Sequence, residues 1–140
     1  MLDQQGLDCD VVGTAQGAFD AALRYSKERV QFGQPISEFQ VIRHKLARMA
    51  TEIEAARQLT YHAAAVKDQG RRADLEAGMA KAFAAEMAER VTSEALQIFG
   101  GYGYSREYPA QRYWRDGRLF KVFEGTSEIQ YDVIAKRLLA

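Results

Sequence analysis

One continuous pattern of apolar residues, from Phe39 to Val66, limits the folds open to this chain. Apolar or small residues recur there at spacings of three and four, and Gly70 ends the pattern. This period places them along one face of a helix of roughly eight turns. Such a long helix with one apolar seam is typical of an antiparallel bundle or a coiled coil. The seam consists of Phe39, Ile42, Leu46, Met49, Ile53, Ala56, Thr60, Ala63 and Val66.

Three further segments have the same helical period, at about residues 7–29, 74–99 and 127–139. The first is rich in small residues, which permit close packing of helices. No segment alternates with a period of two for long enough to predict a strand. The sequence therefore predicts one all-α domain over residues 1–140. Its expected architecture is an up-and-down four-helix bundle with two long helices, a third nearly as long, and a fourth at the C terminus.

The helix ends are predicted from capping residues and helix breakers. Ser37 and Thr126 are expected N-caps, and Asp74 is expected to cap the third long helix. A short additional helix is predicted to begin at Pro109, because proline is favoured in the first turn. It is expected to run to about residue 115 and to break at Asp116-Gly117.

Charge and composition argue against several functional classes. Nineteen basic residues balance nineteen acidic ones, so no general attraction to nucleic acid or anionic lipid is expected. No apolar run reaches membrane-spanning length, and no signal peptide pattern is present. Cys9 is the single cysteine, which fits a reducing compartment such as the bacterial cytosol or a matrix. His44 and His62 are expected to be surface or boundary residues, and without a His/Cys cluster no protein-built metal site is expected.

The segment Phe123–Gln130 places an acidic residue and a glycine directly before a helix. Gly125 has no Cβ, so another molecule could approach closely there, and the free N–H groups of the first helical turn would face the same space. Glu124 beside such donors would suit abstraction of a proton from a carbon next to a carbonyl. Phe123 would desolvate Glu124 and raise its pKa, whereas the helix start would lower it. The alternative is that Glu124 only interacts favourably with the helix dipole.

Two other turns combine polar, aromatic and glycine residues. Arg29, at the end of the first helix, either interacts with the helix dipole or reaches a phosphate, with Phe32 against a ring system. The segment Gln97–Tyr104 contains three glycines within four residues, more than one helix C-cap needs. Its exposed amides and aromatic rings would suit a flat ligand such as a flavin or adenine. It is not a dinucleotide-binding fingerprint, because no strand precedes it and no helix opens from it.

Three motifs together resemble those of the acyl-CoA dehydrogenase family. They are YSKERVQFGQPI at residues 25–36, QIFGGYGY at 97–104 and FEGTSEIQ at 123–130. More narrowly, essentially the whole chain resembles the C-terminal helical domain of that family. The resemblance implies an up-and-down helical bundle and the α,β-dehydrogenation of fatty acyl-CoA thioesters with FAD. It implies electron-transfer flavoprotein as the acceptor in a dehydrogenase, or oxygen if the chain comes from an acyl-CoA oxidase.

The resemblance also implies residue roles. Glu124 matches the catalytic base that takes the pro-R proton from the α carbon while the β-carbon hydride goes to the flavin. Gly125 would lie against the thioester carbonyl, and Tyr104 would line the acyl site. Thr126 and Glu128 match flavin-side contacts. Further FAD contacts are implied for Arg29, Gln31, Phe32 and Gln40, towards the FAD of a neighbouring subunit, and for Gln97, Ile98, Phe99, Gly100 and Gly101, towards its adenosine part.

Family members are commonly oligomers built through this bundle, so a homo-oligomer, dimer or tetramer, is expected. They normally also have an N-terminal helical domain and a middle β domain, which this sequence lacks. The chain is therefore expected to be a fragment, an expressed domain or a truncated gene product with little activity alone. Gln4 stands where many members have arginine, which argues against a CoA contact from that region. The alternative from another class is a non-catalytic helical module for assembly or flavin binding.

Overall fold

The computed structural model describes the backbone of residues 4–140 and the side chains of residues 10–140, so the side chains of Gln4 and Cys9 lie outside it. Over this range the chain is a helical bundle, which confirms the all-α prediction. None of these helices is long and apolar enough to cross a membrane. The elements are α1 Gln4–Glu28, β1 Val30–Gln31, β2 Gln34–Pro35, α2 Gln40–Asp68, α3 Asp74–Phe99, α4 Ala110–Leu119 and α5 Ser127–Leu138, with short 3₁₀ turns at Ile36–Glu38 and Gly100–Tyr104.

The apolar seam of α2 lies where its spacing predicts. Its central and C-terminal members are buried against the other long helices, whereas His44 and His62 are exposed as expected. The matching face of α1 also contains small buried residues, so the two helices approach closely. The buried residues are Met49, Ile53, Ala56, Thr60, Ala63 and Val66 on α2, and Val11, Ala15, Ala18 and Ala22 on α1.

The helix α3 is the centre of the molecule, because it packs against α1, α2, α4 and α5. Its buried surface is therefore much wider than the single stripe that its period predicts. Met79, which stands at helical spacing from Leu75 and Phe83, is 37% exposed, while many small residues between these apolar positions are buried. The buried residues of α3 are Gly78, Ala80, Lys81, Ala82, Ala84, Ala85, Met87, Ala88, Val91, Thr92, Ala95, Ile98 and Phe99.

Of the three predicted helix caps, Thr126 is confirmed, and Ser37 and Asp74 are wrong. The Thr126 hydroxyl accepts a hydrogen bond from the backbone N–H of Ile129 at 3.4 Å, so Thr126 is the N-cap of α5. Ser37 lies instead within a 3₁₀ turn, and Phe39, in an extended conformation, is the N-cap of α2 without a side-chain hydrogen bond. The 3₁₀ turn takes up the residues that the capping-box pattern assigned to the helix start.

The start of α3 also differs from its predicted cap. Ala73 is the N-cap, and Asp74 is the first helical residue. The Asp74 carboxylate accepts hydrogen bonds from Arg72 at 2.9 Å and from Arg137 at 2.5 Å. Because Arg137 lies near the end of α5, this contact ties α5 to α3.

The helix α4 extends to Leu119, past the break predicted at Asp116-Gly117. Gly117 is buried against α3, where a Cβ would overlap the Thr92 hydroxyl and lie 3.1 Å from the Ala88 carbonyl oxygen. Gly117 therefore marks a close helix contact and not a helix end. Glycine lowers helix propensity by about 1 kcal/mol relative to alanine, a cost that the close packing against α3 offsets.

We expect the substitution Gly117→Ala to lower the free energy of unfolding by about 1–3 kcal/mol, because the added methyl group must push α4 away from α3. The matched control is Gly13→Ala in α1, where a Cβ would meet no atom within 4 Å. That substitution should raise the free energy by up to about 1 kcal/mol through helix propensity. Urea unfolding followed by circular dichroism measures both, and equal effects would contradict this account of Gly117.

Candidate active site

Glu124 lies in the turn between α4 and α5, in a backbone conformation that non-glycine residues rarely adopt. Its φ is 54°, and that of the following Gly125 is 87°. The left-handed region costs a non-glycine residue about 1–2 kcal/mol, so the surrounding structure must hold the turn. The Glu124 side chain is exposed. Strained residues that the fold holds in place are found preferentially at functional sites, and an exposed carboxylate here is a candidate base.

Lys81, on α3, holds this turn from the interior. Its side chain is fully buried. Its Nζ donates hydrogen bonds to the carbonyl oxygens of Phe120 and Gly125, each at 2.7 Å, and to that of Phe123 at 3.3 Å. The three N–H donors of an ammonium group are thus matched by three carbonyl acceptors. The backbone on both sides of Glu124 is therefore fixed to α3.

The sequence pattern gave no prediction for Lys81, because a lone lysine in a helix is normally solvated. A signal was nevertheless present. Lys81 stands among small residues at Gly78, Ala80, Ala82 and Ala84, which indicates close packing all round this part of α3. A cation in such surroundings needs buried acceptors.

Phe123 faces the interior and does not cover Glu124. Its ring centroid lies 5.8 Å from that of Phe120, and it packs against the hydrophobic core. The expected cover of Glu124 by Phe123 is therefore not seen, because the Phe123 ring packs on the core and the Glu124 side chain is exposed.

The absent Cβ of Gly125 leaves room for a residue of the same chain. A Cβ at this position would lie 2.6 Å from Nε2 of Gln130, a side chain that is itself buried. The space expected to admit an external ligand is thus filled on this side by Gln130. Gly125 is required by the fold for two reasons, its positive φ and this contact.

Glu128 is engaged in the start of α5. A hydrogen bond from its own backbone N–H, and then one from the Thr126 side chain, hold the pKa of Glu128 below its usual value. The carboxylate therefore stays ionised and favours the helix N terminus.

A separate cleft of about 550 Å³ lies where the end of α1 and strand β1 meet the end of α3. The guanidinium carbon of Arg29 lies 5.2 Å from the ring centroid of Tyr102, a cation–π contact. Tyr25 stacks on Phe99 with ring centroids 4.3 Å apart, and its burial raises the pKa of the Tyr25 phenol. The cleft therefore offers a cation, aromatic faces and exposed backbone. Its lining residues are Tyr25, Arg29, Gln31, Ile36, Ile98, Phe99, Gly100, Gly101 and Tyr102.

The three glycines at the end of α3 have different places in the structure. Gly100 ends the helix with a φ of 62°. Gly103 is buried where a Cβ would lie 2.6 Å from the carbonyl oxygen of Leu96. A Cβ at Gly101 would meet no atom within 4 Å. The packing of this chain does not require Gly101, which leaves its exposed Cα free for close approach by a ligand in the cleft.

Phe32 and Gly33 form the two-residue turn of the β1–β2 hairpin, with φ values of 53° and 81°. Positive φ at both positions is typical of a type I′ turn, in which phenylalanine is strained. The Phe32 side chain is 92% exposed, and its ring contacts that of Phe39 edge-on, with centroids 6.1 Å apart. A strained, exposed aromatic residue indicates a surface that a ligand or partner covers.

The structure divides the predicted site residues into separate groups. The cleft brings together Arg29, Gln31, Ile98, Phe99, Gly100 and Gly101. Three other predicted residues, Gln97, Tyr104 and Gln40, are exposed and lie outside the cleft. The ring centroid of Tyr104 lies 6.5 Å from that of Trp114. Gln40 lines a groove between α2 and α3. Glu124 and Gly125 lie in the turn before α5, Thr126 caps that helix and Glu128 lies in its first turn. None of the four lines the cleft. Within the described residues, no group of three or more His, Cys, Asp or Glu is placed to hold a metal ion.

The sequence matches, over residues 6–139, the family described as acyl-CoA dehydrogenase, C-terminal domain. The chain belongs to the acyl-CoA dehydrogenase family. It is 56% identical over 128 residues to the probable acyl-CoA dehydrogenase YngJ of Bacillus subtilis, covering 91% of this chain and 34% of that protein. It is 47% identical over 134 residues to subunit CarC of the caffeyl-CoA reductase–Etf complex of Acetobacterium woodii, covering 96% of this chain and 35% of that protein.

The fold is likewise that of the acyl-CoA dehydrogenase C-terminal domain. The structure of butyryl-CoA dehydrogenase from Megasphaera elsdenii matches with a TM-score of 0.95 and 47% identity, covering 98% of this chain and 36% of that one. The chain thus spans about a third of the length of the acyl-CoA dehydrogenases it matches. The predicted family and helical bundle are confirmed.

We expect Glu124→Gly to raise the free energy of unfolding by about 1 kcal/mol, because glycine relieves the strain of the left-handed φ. The matched control is Glu128→Gly in the first turn of α5, which should lower it by about 1 kcal/mol through helix propensity. Thermal unfolding of the two variants gives the comparison. A loss of stability in Glu124→Gly would show that the turn is not strained.

Proposed function

We propose that this chain carries the catalytic base of an FAD-dependent acyl-CoA dehydrogenase and that Glu124 is that base. The observation that carries the proposal is the exposed carboxylate of Glu124, a residue with a φ of 54° in a turn that Lys81 of α3 holds by hydrogen bonds. In the proposed reaction, the α proton of an acyl-CoA thioester passes to the Glu124 carboxylate and a double bond forms between the α and β carbons. FAD, when bound, supplies the acceptor for the hydride that leaves the β carbon.

Fixing the base is the main demand of this reaction. The α proton of a thioester is a weak acid, so the base must be held at a short distance in a productive direction. The backbone contacts of Lys81 meet this demand on the protein side. The same proposal places Gly125 next to the thioester carbonyl, Tyr104 at the acyl chain, and Thr126 and Glu128 on the flavin side of the turn.

We assign the Arg29 cleft to the adenosine and phosphate part of the FAD of a neighbouring subunit. Its residues fit that group, because Arg29 provides a cation for phosphate, and Gly101 leaves backbone open beside the ring of Tyr102. Gln31, Phe32 and Gln40 would contact the same FAD from the hairpin and the start of α2. The exposure of Phe32 supports a covering partner. The proposed active protein is therefore a homo-oligomer, and light scattering tests its assembly.

The rest of the proposed site comes from outside this chain. An N-terminal helical domain and a middle β domain would cover the Glu124 turn and provide its desolvation. We propose electron-transfer flavoprotein as the acceptor, supported by the 47% identity to a subunit named as part of an Etf complex. Formation of hydrogen peroxide would instead indicate an oxidase. A reducing cytosol or matrix is the proposed location, which the single cysteine supports.

We expect Glu124→Gln, in the full-length protein with FAD and an acyl-CoA, to slow flavin reduction by about 10²–10⁴-fold, the range for removal of a general base. Anaerobic stopped-flow absorbance measures this rate, and the FAD content should not change. The control is Asp132→Asn, which removes an exposed carboxylate of α5 paired with Lys136. Wild-type turnover in Glu124→Gln would show that this chain is a non-catalytic assembly or flavin-binding module.

A second test concerns the cleft. We expect Arg29→Gln to weaken FAD binding by about 10–100-fold, because a charge-assisted hydrogen bond to phosphate is worth about 1.5–3 kcal/mol. Fluorescence titration of the apoprotein with FAD gives the affinity. Arg24→Gln, an exposed arginine of α1 outside the cleft, is the matched control. Equal FAD affinity in both variants would exclude Arg29 from the FAD site.

A further inference from the structure

Lys81 is the only buried charged residue among residues 10–140, whose side chains the structure describes. Burying an ammonium group is costly unless its donors are satisfied. The acceptors here are main-chain carbonyl groups from one short segment, Phe120, Phe123 and Gly125. The cation is therefore directed at the backbone of the turn that carries Glu124.

The three accepting carbonyls define the direction of Glu124. The Phe123 carbonyl belongs to the peptide plane directly before Glu124, and the Gly125 carbonyl lies one residue beyond it. Both face one nitrogen because Glu124 and Gly125 have positive φ values, which reverse the chain between the two acceptors. The peptide group before Glu124 and the carbonyl group of Gly125 after it are both held in place. The Cα–Cβ bond of Glu124 is therefore fixed in one direction.

A second lysine holds the same segment in a different manner. Lys121 forms ion pairs with Glu86 at 2.9 Å and Glu89 at 2.8 Å, both on α3. These contacts attach the end of α4 to α3 through side chains and leave the carbonyls around Glu124 to Lys81. Two lysines thus hold this segment, and Lys81 is the one that donates hydrogen bonds to the peptide groups around Glu124.

We propose that Lys81 is a positioning residue for the dehydrogenation, which acts by fixing the backbone of Glu124 so that its carboxylate meets the α proton. This inference rests on the proposed function of Glu124. Lys81 itself contacts neither substrate nor flavin in this account. Its loss leaves the base present but free to turn away, so proton abstraction slows while binding of FAD and acyl-CoA is retained.

The test uses the full-length protein with FAD and compares Lys81→Met with Lys121→Met. Misplacement of a catalytic group by about 1 Å costs on the order of 10²-fold in rate. We expect Lys81→Met to lower the rate of flavin reduction per bound FAD by about 10²-fold, with KM for the acyl-CoA within threefold of wild type, as an order-of-magnitude bound. Lys121→Met should change this rate by less than about threefold on the same scale.

A kinetic isotope effect separates positioning from a merely structural role. With an α-deuterated acyl-CoA, the isotope effect on flavin reduction should increase in Lys81→Met, because proton abstraction by the displaced base becomes more rate-limiting. A loss of folded or FAD-bound protein lowers the active fraction but leaves the isotope effect per bound FAD unchanged. In a Glu124→Gln background, Lys81→Met should cause no further loss, since both changes act on one step.

Each outcome supports or overturns the inference. A wild-type rate per bound FAD, or an unchanged isotope effect, in Lys81→Met overturns it. If Lys81→Met does not fold, Lys81→Gln takes its place, because the carboxamide retains two N–H donors. The rate of flavin reduction in Lys81→Gln is expected to lie between those of wild type and Glu124→Gln. A wild-type rate in Lys81→Gln overturns the inference. Full activity of Glu124→Gln would overturn the proposed function as well, whereas an inactive Glu124→Gln with an unaffected Lys81→Met overturns only the role of Lys81.

Discussion

The architecture of this domain depends on close contact between α3 and the helices on every side of it. Alanine and glycine at most of its buried positions let other backbones approach. Gly117 provides the matching small residue on α4, and Gly78 does so towards α5, where a Cβ would lie 3.2 Å from the Ile134 side chain. Because α3 is enclosed, groups projecting from it reach the turns that connect the outer helices, and the Glu124 turn is one of them.

This enclosure explains how a strained turn can carry an exposed carboxylate. The conformation of Glu124 is unfavourable by itself, and the turn buries few apolar side chains apart from Phe120 and Phe123. Hydrogen bonds from Lys81 to the carbonyl oxygens of the turn take the place of that packing. The Glu124 carboxylate therefore contributes little to stability, which leaves it available for chemistry.

The long-range helical pattern of this chain was readable from the sequence, whereas its exceptions were not. The seam of α2 repeats over many turns, so an exception at a single position does not hide the pattern. Thr126 is confirmed as a cap because capping depends only on residues within one helical turn. The predictions for Gly117 and Ser37 are wrong because each rests on local sequence alone. Gly117 suggests a helix break, but it is required by the contact of α4 with α3. Ser37 suggests a helix cap, but it lies in the 3₁₀ turn before α2. Lys81 and the inward direction of Phe123 depend on segments about 40 residues apart, which no local pattern encodes.

The separation of the Arg29 cleft from the Glu124 turn has a consequence for behaviour in solution. If the cleft serves the cofactor of a neighbouring copy, no single copy has a complete set of contacts, and cofactor occupancy is coupled to assembly by mass action. Dilution would then release flavin together with subunits, and added flavin would favour reassembly. The activity of the enzyme would then depend on its own concentration, because only assembled copies would hold the cofactor.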